Sequence, residues 1–334
     1  MRSLVLLLAV TLLPAGCLIP VSPGVSGTVE RAAPGEDAVT LTYLGVGGWI
    51  IERGGDQILT GPLFSNPSIV ATGLTPVRSD TVAVDRYMGR YEVSRALAIL
   101  VGHAHYDHLM DVPRVARRHA PRAVILGSET VKNTLGTWSG VADRVLLVDD
   151  IAGTVEEEGE WIGLSPGVRV MPLYSHHAAH FEGYNLYQGA LSRPLDGEPR
   201  WASEWLDGET YAFLIDFLAP DGGVDFRVYY QDAVCAAPRG LAPESVIRER
   251  PVDVAIIVPA TFDQVEWHPE GLIQNLEPRS VILGHWENFF RSPDGDTRSV
   301  VLTDMRQFQA RLDRVHRGES WMPDLWTVFR FPVS

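Results

Sequence analysis

Short runs of continuous or alternating apolar residues recur along the chain between turn-forming residues, and they predict a strand-rich molecule. LTYLGVGGWIIE (residues 41–52) alternates about a glycine-containing turn as a hairpin does, and DQILT (56–60) follows as a further strand. After a long loop, ALAILV (96–101) is a continuous apolar run of the kind buried on both faces. RAVILG, SETVKNTLG and DRVLLV then read as strand, helix and strand over residues 122–148. The second half repeats the style, with strands at VRVMPLY (168–174), YAFLIDF (211–217), FRVYYQD (226–232), VDVAIIVP (252–259) and SVILGH (280–285). Helices are predicted over 269–276 and 299–316, ahead of a closing strand LWTVFRF (325–331). No fixed-period repeat or linker-like break interrupts this order, so residues 39–334 read as one large domain. Such alternation implies an α/β molecule with two sheets covered by helices.

One stretch breaks the apolar pattern sharply. VGHAHYDHLMD (101–111) holds three histidines and two aspartates where a buried strand ends. A histidine-rich turn can simply be solvated, but the loop after a buried strand is where sites sit. Asp111 and Pro113 ahead of RVARRHA suit a helix start, so the cluster spans a strand-to-helix turn. His103 and His105 are two apart and can point the same way from an extended segment, whereas the adjacent Asp107 and His108 must turn towards a different point. That arrangement serves two metals better than one. Two metals need further donors downstream. Histidines at 176, 177 and 180, Asp232 and His285 each stand at the end of a predicted strand.

HAHYDH resembles the His-x-His-x-Asp-His signature of the metallo-β-lactamase-fold hydrolases at all four defining positions. The resemblance implies an αββα sandwich, two mixed sheets packed face to face with helices outside and metals at the sheet edge. It also implies His103, His105, Asp107, His108, His177, Asp232 and His285 as metal ligands, with Asp232 bridging. His177 is chosen because SHHAAH resembles the Ser-x-His-Ala-x-His pattern of related sequences, and His176 is its rival. The surrounding GPLFSNPS resembles a branch with the N-acyl-phosphatidylethanolamine phospholipase D enzymes and, more distantly, the ascorbate-6-phosphate lactonases. One position departs: Gly61 stands where many relatives carry an aspartate that braces the metal loop.

The leader MRSLVLLLAVTLLPAGC has one basic residue, a short apolar core and small residues before a cysteine, and reads as a signal peptide over residues 1–16. Its ending resembles the lipobox of bacterial lipoproteins, with Cys17 as the lipidated residue, although Pro14 stands where leucine is usual. Residues 17–38, rich in Pro, Gly and Ser, suit a flexible tether. The expected location is the cell envelope, anchored to a membrane through lipid. With Cys17 acylated, only Cys235 is left and no intrachain disulfide can form. Cys235 reads as a small buried hydrophobe.

A formal net charge of −14, with Lys132 the sole lysine, denies the chain the cationic footprint that phosphate backbones require, so nucleic acid is set aside as a partner. Two divalent ions about 3.5–4 Å apart can hold a hydroxide that attacks an ester-type bond at neutral pH. Asp107 would orient that nucleophile, and His180 would give a proton or hydrogen bond to the leaving group. Zinc suits the His/Asp set, manganese and iron share its ligand type, and diiron redox relatives are expected to carry a carboxylate where His105 stands. The substrate is then a small or lipid-like phosphodiester, lactone or related ester. Trp201 and Trp205, in a loop over residues 186–209, suit the pocket mouth, a lipid interface or simple packing onto the body. A non-catalytic envelope lipoprotein that keeps the metals for structure or sensing is the alternative.

Overall fold

The computed structural model describes residues 20–333, so the signal peptide read over 1–16 and Cys17 lie outside the described residues. The first sheet opens with β1 (Thr28–Glu30), β2 (Ala38–Gly45), β3 (Gly48–Arg53), β4 (Asp56–Thr60), β5 (Ala98–Leu100), β6 (Val124–Gly127) and β7 (Val145–Leu147). The second holds β8 (Ile162–Ser165), β9 (Val168–Tyr174), β10 (Tyr211–Leu218), β11 (Val224–Gln231), β12 (Val254–Ile257), β13 (Ser280–Leu283) and β14 (Glu319–Trp321), and β15 (Val328–Pro332) returns to the first. Among the described residues the orders are β1-β15-β2-β3-β4-β5-β6-β7 and β14-β13-β12-β11-β10-β9-β8. Both sheets mix parallel and antiparallel pairs, as the αββα expectation requires.

Side-chain alternation along each strand explains the layering. On β3, Trp49 and Ile51 point into a core shared by both sheets, while Ile50 between them faces a second core under the helices. The helices Thr81–Met88, Val112–Arg118 and Glu129–Leu135 cover the outer face of the first sheet with Val84, Val115, Val131 and Leu135. Glu244–Glu249, Glu270–Leu276 and Met305–Val315 do the same for the second through Val246, Leu272, Phe308 and Leu312. Each such side chain removed from water is worth about 1.5–3 kcal/mol, so the sandwich is held chiefly by these two apolar layers. No helix among the described residues is long and apolar enough to cross a membrane.

Several expectations are adjusted. The loop between β4 and β5 contains two helices, Ile69–Leu74 and Thr81–Met88, whose first turns are capped by Ser68 and Asp80. The helix predicted over 299–316 begins at Met305, because Asp304 caps it and Ser299 pairs instead with Glu287. Asp111 does not cap its helix: its carboxylate accepts from the backbone N–H of Phe64 (2.7 Å) and Ser65 (2.9 Å) and from Ser65 Oγ (2.6 Å). The composition of residues 20–38 suits an exposed tether, yet part of this span lies on the domain. β1 pairs with β15, Ala32 is buried, and Val21 exchanges hydrogen bonds with Ser299.

The topology puts one edge to use. β9 and β11 both run antiparallel to β10, and β11, β12 and β13 are mutually parallel, so four strands of the second sheet end at the same side. In the first sheet β4 to β7 are parallel as well. The N–H of Tyr211 donates to the carbonyl of Gly102 at 2.8 Å and ties the two sheets together beside the end of β5.

Candidate metal centre

Every expected ligand follows the C-terminal end of a strand on that edge: His103 after β5, His177 after β9, Asp232 after β11 and His285 after β13. His105, Asp107 and His108 continue from His103 into the short helix Tyr106–Leu109. The structure brings these seven residues together in three overlapping groups, His103–His105–His177, His103–His108–Asp232 and Asp107–His108–His285, within each of which the donor atoms lie within 4.8 Å of one another. Asp232 sits between the two halves, with Oδ2 2.8 Å from His103 Nδ1 and Oδ1 2.9 Å from His108 Nδ1. His177 rather than His176 joins the first group. Its ring lies 4.9 Å from that of His103 and 4.8 Å from that of His105, whereas His176 is exposed.

The donor chemistry fits metal ions. Nε2 of His103 and of His105 is buried with no hydrogen-bond partner, a costly state for a polar atom unless something else takes its lone pair. In the other half, Asp107 Oδ2 lies 3.5 Å from His108 Nε2 and 3.4 Å from His285 Nε2, too far for good hydrogen bonds but suited to a shared cation. Burial, together with neighbouring histidines, holds His103, His105 and His177 below the usual histidine range, so those rings are neutral donors. Burial alone would push Asp107 and Asp232 upward, but His108 beside them, itself raised by these two carboxylates against the cost of its own burial, outweighs that and keeps both carboxyls ionised. Neutral imidazole and ionised carboxylate are the states in which these side chains ligate.

His180 stacks on His177 at 4.5 Å between ring centroids, and burial lowers it to about 4. The backbone N–H of Leu186 donates to its Nδ1 (3.2 Å), so the neutral ring carries its proton on Nε2. In the loop over residues 186–209, Trp205 is buried in the body while Trp201 is 43% exposed.

Several supporting residues had no conspicuous sequence signal. Tyr230 Oη reaches both Asp232 and the carbonyl of Gly47, the latter at 2.8 Å. Gly47, at the tip of the β2–β3 hairpin, is wedged so closely that a Cβ there would stand 2.7 Å from His108 Nδ1 and 2.8 Å from Asp232 Oδ1. Its glycine-rich neighbourhood, GVGG, was the one available hint of such an approach.

No family model matches the chain. It is 35% identical over 86 residues to a UPF0173 metal-dependent hydrolase of Aeropyrum pernix, a match that takes in 26% of this chain and spans 28% of that relative's length. Among solved structures it is similar to a metallo hydrolase from Ignicoccus hospitalis, with a TM-score of 0.51 at 16% identity over 89% of this chain and 100% of the other. A metallo-β-lactamase fold protein from Bacillus subtilis aligns with a TM-score of 0.48 at 11% identity, over 88% of this chain and 100% of the other. Two helix-covered mixed sheets with histidines and aspartates gathered at one edge are the αββα architecture, the fold that this chain shares with the Ignicoccus hospitalis structure.

Proposed function

We propose that this chain is a metallohydrolase that binds two divalent cations, zinc by preference, and cleaves an ester-type bond, a phosphodiester, lactone or related linkage, in a small or lipid-like substrate. The observation that carries the reading is the pairing of a three-histidine group, two of its ring nitrogens otherwise orphaned, with an Asp–His–His group across Asp232. When bound, two such cations supply Lewis acidity towards the substrate oxygen and a water acidic enough to attack near neutral pH.

The residues divide the remaining work. His103, His105 and His177 hold the first position, and Asp107, His108 and His285 the second. Asp232 fixes the spacing of the halves through its contacts with both His103 and His108. His180, with its ring proton on Nε2, offers a hydrogen bond to an oxygen of the substrate. The test is hydrolysis by metal-loaded protein across phosphodiester, lactone, ester and β-lactam substrates. Turnover of one class, abolished in Asp107→Ala, supports the reading; full metal loading without turnover of any supports a sensing or structural role instead.

The proposal includes export and lipidation at Cys17. Val21 is already bonded to Ser299, so four residue steps, at most about 14 Å of chain, separate the domain from the lipid. The enzyme would work close against the membrane rather than on a long leash.

A further inference from the structure

His285 is held in an unusual way. Histidine ligands ordinarily have the second ring nitrogen fixed by a carboxylate or a carbonyl, which sets the ring's direction. Nδ1 of His285 is instead buried without a hydrogen-bond partner. Its backbone is left-handed, with φ 48°, a conformation that a residue bearing a Cβ keeps only when its surroundings impose it.

Those surroundings are specific. The N–H of His285 donates both to the carbonyl of Val46 (3.0 Å) and to Tyr43 Oη (3.1 Å). Val46 is itself left-handed at φ 53°, and its N–H donates to Glu287 Oε1 at 2.5 Å. Tyr43 Oη donates to Glu287 Oε2. One buried carboxylate, two residues beyond the ligand and 5% exposed, therefore takes up both groups that in turn receive the ligand's N–H. The knot joins the β2–β3 hairpin to the end of β13, and the same hairpin tip abuts His108 through Gly47.

We infer that Glu287 is a positioning residue for the second metal position: acting through Tyr43 and Val46, it fixes the backbone of His285 and thereby aims a ring whose Nδ1 has no hydrogen bond to hold it. The inference rests on the binuclear reading proposed above. Glu287 is not among the grouped donor residues; its effect passes through the main chain. Glu287→Gln keeps the shape but supplies one acceptor oxygen where two are used. Tyr43→Phe removes the hydroxyl and leaves the carboxylate in place.

The test is zinc binding to the metal-free full chain, by chelator competition, with thermal unfolding of the same metal-free protein as the control. Glu287→Gln should weaken the second zinc by about 10–100-fold while the first binds as in the parent, and Tyr43→Phe should shift the second in the same direction. A general structural role would lower the unfolding temperature and weaken both ions together, and that result overturns the inference. So does a second zinc of unchanged affinity in both variants. A parent chain that takes up only one zinc overturns the binuclear reading itself, and this inference with it.

Discussion

A Cβ built on Gly61 would stand 2.2 Å from the carbonyl oxygen of His108. The backbone of the turn that carries His108 occupies the space that an aspartate at this position would need, so only glycine fits there without a shift of the turn. Asp111 supplies bracing from the other side, through Phe64 and Ser65. Gly61→Ala should then destabilise the protein by about 1–3 kcal/mol and weaken zinc at the second position, because His108 must move. Gly163→Ala, where a Cβ meets nothing within 4 Å, should stay within about 0.5 kcal/mol of the parent. Denaturant unfolding of both variants decides; equal stability would refute the close approach.

The neighbours His176 and His177 separate cleanly. His177→Ala should lose the first metal, by more than the roughly 10–100-fold that changes to supporting residues cost. His176→Ala, altering an exposed ring, should keep metal and activity. Metal titration of the two variants checks this, and the reverse outcome would move the ligand by one residue.

Much of the candidate metal centre was legible because its parts obey local rules. His103, His177, Asp232 and His285 each follow a buried apolar run that ends a strand, and His105, Asp107 and His108 lie on the turn that continues from the first of them. The supporting groups were not legible in that way. Glu287 acts on Tyr43, 244 residues away in sequence, and neither carries a motif. The helices Ile69–Leu74 and Thr81–Met88 are too short to show a convincing period, and β1 exists only through its distant partner β15. Local pattern speaks to local geometry, whereas these features depend on which distant segments meet.

A pH effect on stability should arise away from the metals. His268 is buried, its Nε2 donates to the carbonyl of Val258 at 2.9 Å, and burial lowers it to about 4. An unfolded histidine titrates near 6.5, so the unfolded chain binds the extra proton between those values. The contribution is whole above about pH 6.5 and is lost as pH falls through about 4, an amount on the order of 3 kcal/mol. Unfolding free energies between pH 7 and pH 4 should fall less steeply in His268→Gln than in the parent. Parallel curves would show that His268 does not titrate with unfolding.

Lipidation at Cys17 predicts where the protein is found. Two or more acyl chains, at about 0.8 kcal/mol per buried CH₂, suffice for stable anchoring, and a chain of net charge −14 has no electrostatic reason to stay on an anionic surface without them. Cys17→Ser should therefore move the protein to the soluble envelope fraction. Membrane-bound protein that retains an unmodified Met1, by mass spectrometry, would instead point to an uncleaved anchor.

The central claim is the pair of metal positions joined by Asp232, and elemental analysis of the zinc-reconstituted full chain tests it most directly. Two zinc ions per chain in the parent, falling to one in His285→Ala, is the result these side chains predict. One ion per chain, unchanged by His285→Ala, would contradict it.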